Sequence, residues 1–324
     1  MALDQESIEL FARSVRGVLI GPDDDATERL TEIGWRDILV TDARAAIPVV
    51  FRNQGEHRAR SAALDDVAIE TMRPGSADWL GEMGAAAFLH PRPGRAAAAH
   101  VDGPRLVFDG LALRDTSDGR LLTLAQTEGG IALVSFPAAA ADRRAVGGID
   151  ASRGLARIAG TVSRDDTEVI DGGDVDAVGP ACRRALAYEL DGLVSTMLES
   201  AADYARDRVQ FGQPIGAFQA VKHRLADVLV AVRAAEVVAD ESWDTETAIA
   251  AAAAKCLAGQ AFQLAAENCL QVMGAIGFTW EHDLHRFIRR GMVIDVLYGS
   301  PRELRVELGR AMIERRQIPR LGWL

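Results

Sequence analysis

The spacing of apolar residues changes twice along this chain, and these changes limit the folds that it can adopt. Near the N-terminus, Ile8, Phe11 and Val15 recur at the three-to-four-residue interval of an amphipathic helix. From Phe88 onwards, short apolar runs of strand length are separated by Asp-Gly and Gly-Gly turn signals. Helical spacing returns at Val178 and continues towards the C-terminus. The chain therefore alternates between helical and strand-forming parts.

This order of patterns predicts an α+β fold in three parts. We expect a helical N-terminal domain over residues 1–87, a small β domain over 88–175 and a C-terminal four-helix bundle over 176–324. Four apolar stripes define the predicted bundle helices, within residues 186–201, 221–232, 248–272 and 304–312.

Composition excludes several classes of function. The net charge of −11 argues against a nucleic-acid-binding protein, which needs a basic surface. The three cysteines, Cys182, Cys256 and Cys269, lie far apart in apolar helical patterns, which is typical of reduced, packed thiols. We see neither a leader pattern after Met1 nor an apolar run of about 18 residues, so we expect a cytoplasmic protein that does not contact a membrane.

A short segment between the first two predicted bundle helices carries an unusual pattern. Arg208 lies at the end of a helical stripe, Phe211 and Gly212 interrupt it, and Phe218 and Gln219 begin the next stripe. Positive charge at a helix C-terminus, followed by glycine, is a common stop signal. On composition alone, the segment is a tight helix–helix corner.

Two stretches together resemble one enzyme family. The first is residues 208–219, with the order R-x-x-F-G-x-x-I-x-x-F-Q, and the second is residues 271–285, QVMGAIGFTWEHDLH. Both are similar to the C-terminal helical domain of flavin-dependent acyl-CoA dehydrogenases. The order of the three parts also fits that family, although over residues 1–175 the resemblance rests on architecture only.

The resemblance implies an FAD site shared between subunits of an oligomer, with an acyl-CoA thioester as substrate. In such an assembly this domain grips the FAD of a neighbouring chain. An arginine suits the pyrophosphate, an aromatic ring suits the adenine end, and glycine permits close backbone approach. The residues to which the resemblance assigns cofactor binding are Arg208, Phe211, Gln219, Gln271, Gly274 and Ser300. At the family's second glycine of the G-G-x-G-F pattern this chain has Ala275.

Two further polar features have competing interpretations. By the resemblance, Arg183 would lie near the substrate end of the site, although Arg184 is adjacent and a solvated surface charge is the alternative. His282 and His285 are one helical turn apart and could suggest a metal site. Two histidines without a third ligand form an incomplete set, so we expect no metal.

The catalytic base of the family is missing. Family members remove the α-proton of the thioester with a glutamate in a Y-E-G-T-type motif, and the aligned residues 297–300 place Tyr298 at that position. A phenol with a pKa near ~10 is a poor base for this proton. The other position that some members use is Cys182. Asp295 is the best of the remaining weak candidates, ahead of Glu189 and Glu303, since it lies three residues before Tyr298.

The β domain also lacks the family's two flavin-cradling motifs, and residues 88–95 read FLHPRPGR instead. The chain thus keeps what it would donate to a neighbour's FAD and lacks much of what it would use for its own. It resembles the short, non-catalytic subunit of actinobacterial heterotetrameric acyl-CoA dehydrogenases, which desaturate steroid-derived CoA thioesters. One alternative is a self-sufficient dehydrogenase, with a displaced carboxylate, in a homo-oligomer. Another is a flavin-free structural homologue.

Overall fold

A computed structural model describes residues 3–20, 25–73, 86–114, 119–245 and 247–315. Its helical N-terminal part contains α1 (Gln5–Val18), α2 (Thr27–Glu32), α3 (Trp35–Thr41), α4 (Ala43–His57) and α5 (Ala63–Thr71). Aspartates begin two of these helices: Asp4 accepts a hydrogen bond from the backbone N–H of Ser7, and Asp42 accepts one from that of Ala45. Each cap satisfies an amide that the helix leaves without a partner.

The β domain is one twisted, mostly antiparallel sheet. Its strands are β1 (Ala86–Phe88), β2 (His90–Pro91), β3 (Ala99–Asp102), β4 (Arg105–Ala112), β5 (Arg120–Thr127), β6 (Gly130–Pro137), β7 (Ala141–Ala145), β8 (Ala156–Ser163) and β9 (Glu168–Ile170). The order is β7-β8-β4-β3-β5-β6-β9, with β1 on β5 and β2 on β4. The rings of Phe108 and Phe136 pack at a tilt, with their centroids 4.5 Å apart, in a core separate from that of the helices.

The C-terminal part contains the four predicted helices and one more. It comprises α6 (Val175–Asp207), the two-stranded corner β10 (Val209–Gln210) and β11 (Gln213–Pro214), α7 (Gln219–Thr245), α8 (Ala248–Met273), α9 (Leu284–Val296) and α10 (Pro301–Arg315). The helices α6, α7 and α10 pack around α8, and the four together form a bundle. The additional helix, α9, is amphipathic and packs against α6 and α8.

One segment, Ala248–Phe278, is long and apolar enough to cross a membrane by length and composition. It contains α8, whose alanine-rich surface packs against α6 and α7. That arrangement is typical of the central helix of a bundle.

Helices α4 and α6 cross at very short range, which joins the N-terminal helices to the bundle. A Cβ placed on Gly55 would lie 2.1 Å from the carbonyl oxygen of Glu189, and one placed on Gly192 would lie 2.2 Å from that of Arg52. Glycine on both helices therefore permits this contact. Beside it, Asp191 accepts a hydrogen bond from Arg52 at 2.8 Å, and Glu236 of α7 lies 3.0 Å from the same guanidinium.

Asp191 is expected to make stability depend on pH. Burial raises the pKa of its carboxyl from 3.8 to about 6, against the opposing attraction of Arg52. Between these two values the folded state binds a proton that the unfolded state lacks, so stability rises as pH falls from 7 through 6 towards 4. Asp191→Asn should flatten this part of the profile of urea unfolding midpoints. Asp142→Asn, at an exposed pair with Arg144, is the control and should leave it unchanged.

Candidate functional site

The corner after α6 presents the first group of predicted site residues to solvent. Phe211 and Gly212 occupy the turn between β10 and β11 with φ angles of 53° and 81°. Phe211 is 93% exposed and its ring meets Phe218 edge to face at 6.1 Å. The backbone N–H of Ile215 donates to the carbonyl of Arg208 at 2.7 Å, which fixes the corner.

The corner leaves a cation, an aromatic ring and an amide available. Arg208 and Gln219 are exposed, and no described residue forms an ion pair with the Arg208 guanidinium. An exposed phenylalanine in a positive-φ turn is costly unless another surface covers it. These groups fit the pyrophosphate and adenine of an FAD that another chain presents, as the resemblance implies.

The end of α8 carries two more predicted site residues, Gln271, which is exposed, and Gly274, which is half-buried. Gly274 has a φ of 64°, and nothing lies within 4 Å of the position that a Cβ would take. A ligand backbone or phosphate can therefore approach the chain closely here. This open space and the exposed amide of Gln271 suit the dinucleotide part of an FAD.

At the family's glutamate position, Tyr298 is held from both ends. Its φ is 56° and that of Gly299 is 110°, which turns the chain sharply between α9 and α10. Its carbonyl accepts a hydrogen bond from Nε of Arg183 at 3.1 Å. Its hydroxyl lies 2.7 Å from Nδ1 of His90, whose Nε2 lies 2.9 Å from a carboxylate oxygen of Asp65.

These contacts give Tyr298 no basic character. Burial raises the pKa of its phenol well above the usual 10, and the neighbouring Cys182 raises it further. Burial also raises the pKa of the Cys182 thiol to about 12. Both groups stay neutral near pH 7, so neither removes a proton from a thioester.

Sequence reasoning did not find His90 or Asp65. His90 lies in the segment that replaces a flavin motif, and Asp65 is a charged residue inside the apolar run of α5. A carboxylate in such a run needs a buried partner, and that was the available signal. Its partner lies 25 residues away, on a strand of the next domain.

The structure argues against all three weak candidates for a displaced base. Asp295 faces α8, where its carboxylate accepts from Gln263 at 2.9 Å and burial raises its pKa. Glu303 accepts from the amide and hydroxyl of Ser300 at 2.9 and 2.7 Å, capping α10, and these bonds lower its pKa. Glu189 is fully buried in an ion cluster. For Asp295, the carboxylate's hydrogen-bond partner Gln263 belongs to α8, so this bond supports the packing of α9 on α8.

Two other predicted residues are occupied by partners within the chain. The guanidinium of Arg183 donates to both carboxylate oxygens of Glu307, each at 2.7 Å. Its charge is therefore compensated, which weakens the prediction that it binds substrate. The Ser300 hydroxyl donates to Glu303, so it serves the start of α10 in this structure.

A buried ion cluster joins all three parts of the chain near Glu189. Arg290 of α9 donates to Asp150 at 2.7 Å and to the carbonyl of Ala59 at 2.9 Å, and lies 3.8 Å from Glu189. Arg153 lies 3.6 Å from Glu189 on the other side. Burial works to raise the pKa of Asp150, but Arg290 and a hydrogen bond from Ser152 outweigh it and leave the pKa lowered. The cluster is structural, since each charge has an opposite charge beside it.

Within the described ranges, no group of three or more histidine, cysteine or carboxylate residues has the geometry of a metal site. His282 accepts a hydrogen bond from the amide of Leu284, and Nδ1 of His285 lies 2.8 Å from the carbonyl of His282. Both histidines are thus engaged in the turn before α9.

Sequence comparisons place the C-terminal part in a known domain family. The description "Acyl-CoA dehydrogenase, C-terminal domain" matches residues 182–313. The chain is 38% identical over 131 residues to the acyl-CoA dehydrogenase IpdE2 of Mycolicibacterium smegmatis, covering 40% of this chain and 42% of that protein. It is 43% identical over 141 residues to the acyl-CoA dehydrogenase FadE34 of Mycobacterium tuberculosis, covering 40% of this chain and 20% of that protein. In sequence, the chain thus spans less than half of the length of these relatives.

Structural comparisons cover nearly the whole chain. It is similar to a chain of the Tcur3481-Tcur3483 steroid ACAD, with a TM-score of 0.75, 20% identity and coverage of 96% and 99% of the two chains. Similarity to the ChsE4-ChsE5 complex from Mycobacterium tuberculosis gives a TM-score of 0.71, 18% identity and coverage of 98% and 99%. Similarity to a glutaryl-coenzyme A dehydrogenase gives a TM-score of 0.75 at 17% identity, and the alignment covers 99% of this chain and 98% of that chain. The predicted fold class is confirmed, because the chain shares its fold with these solved structures.

Proposed function

We propose that this chain, whose residues 182–313 form an acyl-CoA dehydrogenase C-terminal domain, is one subunit of a heterotetrameric, FAD-dependent acyl-CoA dehydrogenase. It contributes the cross-subunit half of an FAD site that a homologous partner completes with its own catalytic base. The observation that carries the proposal is Tyr298: the position that needs a carboxylate holds a partly buried tyrosine, whose hydroxyl lies 2.7 Å from Nδ1 of His90. In addition, Arg208 and Phe211 are exposed and are therefore available for contacts with another chain.

The roles of this chain's residues follow from their chemistry. Bound FAD supplies the acceptor for the hydride that leaves the β-carbon of the thioester. Arg208 neutralises the pyrophosphate, Phe211 covers the adenine end, and the amides of Gln219 and Gln271 donate hydrogen bonds. Because all four side chains are exposed, they are available to a cofactor that lies mainly in another chain.

A steroid-derived CoA thioester is the proposed substrate class. Its support is the fold similarity to an assembly described as a steroid ACAD, with two differently named chains. The same similarity, with that to the two-component ChsE4-ChsE5 complex, supports a heteromeric assembly.

Co-expression tests the proposal directly. The chain is produced alone and together with each candidate homologous acyl-CoA dehydrogenase chain of the same organism, and each product is analysed for subunit ratio, visible spectrum and dye-linked oxidation of CoA thioesters. We expect flavin absorbance and turnover only in the co-purified complex. A yellow, fully active protein from this chain alone would refute the proposal, and a complex without flavin bands would favour the structural alternative.

The corner residues provide a sharper prediction. Arg208→Ala should lower the affinity of the complex for FAD by about tenfold or more, because a charge-assisted hydrogen bond contributes about 1.5–3 kcal/mol. Flavin retained after gel filtration measures the loss. Arg206→Ala is the matched control: Arg206 is two residues away, equally exposed, and pairs with Asp203 of its own helix. Equal losses in both variants would show a general effect of charge and contradict the assignment.

A further inference from the structure

Four side chains from all three parts of the chain meet at the position of the absent base. They are Asp65 of α5, His90 of β2, Cys182 of α6 and Tyr298 of the turn between α9 and α10. Asp65, His90 and Cys182 are each almost completely buried. Residues 208 positions apart are thereby joined by one hydrogen bond.

Side chains of this chain surround the Tyr298 hydroxyl. His90 lies on one side of it at 2.7 Å, and the Cys182 thiol interacts with it on another. The imidazole of His90 is fixed in turn by Asp65 at 2.9 Å and by the edge of Phe88, whose ring centroid is 5.0 Å away. The guanidinium of Arg183 donates to the backbone carbonyl of Tyr298, which helps to fix the turn that carries the phenol.

We propose that Asp65, His90 and Tyr298 form a plug that closes this chain's own thioester position. The plug also links the β domain, through His90, to the helical parts that carry Asp65 and Tyr298. This link lies at the position where a catalytic subunit would bind its thioester. This inference rests on the proposed function, because it explains how one half of the assembly is kept free of CoA thioesters. Asp65 and His90 act through Tyr298 and are positioning residues.

Cys182 provides a built-in reporter of the plug. Its side chain interacts with the Tyr298 hydroxyl, whereas Cys269 is likewise buried, in α8, and has no recorded interaction with the plug residues in the described part of the chain. Opening the plug should expose the first thiol and not the second. A structural weakening of the whole protein would expose both.

The test uses the full chain alone, with N-ethylmaleimide labelling read at each cysteine by mass spectrometry and octanoyl-CoA binding read by calorimetry. The wild type should bind no octanoyl-CoA. Opening the plug with His90→Ala and Tyr298→Ala together should create a site for one octanoyl-CoA and accelerate labelling of Cys182 at least tenfold relative to Cys269. His100→Ala, at an exposed histidine of β3, is the control and should change neither.

Stoichiometric binding by the wild type would overturn the proposal, and so would unchanged Cys182 labelling or thioester binding in the folded double variant. If the double variant does not fold, Tyr298→Phe serves instead. Loss of the hydroxyl alone should still raise the rate of Cys182 labelling relative to that of Cys269. If this ratio is the same in Tyr298→Phe as in the wild type, the proposal is overturned. Neither measurement involves flavin or a partner chain, so failure here is distinguishable from failure of the proposed heteromeric assembly.

Discussion

Replacing Gly55 by alanine is expected to destabilise the protein by about 3 kcal/mol, at the upper end of the range for overpacked cores. The added Cβ would meet the carbonyl oxygen of Glu189 at 2.1 Å and the amide nitrogen of Leu193 at 2.9 Å. Both atoms belong to the backbone of α6, so no side chain can rotate away. Helices α4 and α6 must separate, and the apolar contacts around their crossing are lost. A fall in the midpoint of urea unfolding measures the effect.

The same substitution at Gly17 is the matched control. Gly17 lies in α1, is exposed, and has nothing within 4 Å of the added Cβ. There, alanine should stabilise the helix by up to about 1 kcal/mol, because glycine is the poorer helix former. The two variants should therefore shift the midpoint in opposite directions. A stabilising Gly55→Ala would show that the helices do not approach each other this closely.

Arg290→Met is expected to cost about 3–5 kcal/mol, the usual penalty when one partner of a buried ion cluster is removed. The substitution keeps the bulk of the side chain and removes its charge. Asp150 then loses its principal cation and Glu189 retains only Arg153. The carbonyl of Ala59 also loses its donor. Thermal unfolding should begin at a markedly lower temperature.

A double variant separates charge from packing in this cluster. Adding Asp150→Asn to Arg290→Met removes the orphaned charge, so it should recover part of the lost stability. Arg144→Met removes an exposed arginine paired with Asp142 and should change stability by less than about 0.5 kcal/mol. If the double variant is no more stable than Arg290→Met, the loss arises from packing and the electrostatic explanation is wrong.

Local periodicity predicted most of the architecture. The stripes at three-to-four-residue spacing correspond to α6, α7, α8 and α10, and the glycine-punctuated runs correspond to the long strands of the β domain. Both follow from which face of an element is buried, and this is encoded in neighbouring residues. Helix α9 (Leu284–Val296) was not predicted, because the sequence around its start was interpreted through the family-like stretch 271–285 and not through its amphipathic pattern.

The contacts at the site could not be predicted in the same way. The substitution at Tyr298 was visible in sequence, but its bond to His90 joins residues 208 positions apart on different domains. Likewise, the sequence allows Glu189 as a possible base, but in the structure its carboxylate lies beside the guanidinium groups of Arg153 and Arg290. Pairings of this kind depend on how whole domains pack, and one sequence carries no local signal for them. The roles of Arg208, Gln219 and Gln271 towards FAD stay predictions, supported by their exposure.

The crossing of α4 and α6 also constrains how the chain is made. Arg52 and its partner Asp191 are 139 residues apart, with the entire β domain between them. At a typical synthesis rate of about 5–20 residues per second, the ribosome needs roughly 7 to 28 seconds to supply that partner. During this interval α1 and α3 can already contact α4, but the surface of α4 that packs against α6 stays uncovered. A truncated product that ends before α6 should therefore be degraded rather than accumulate.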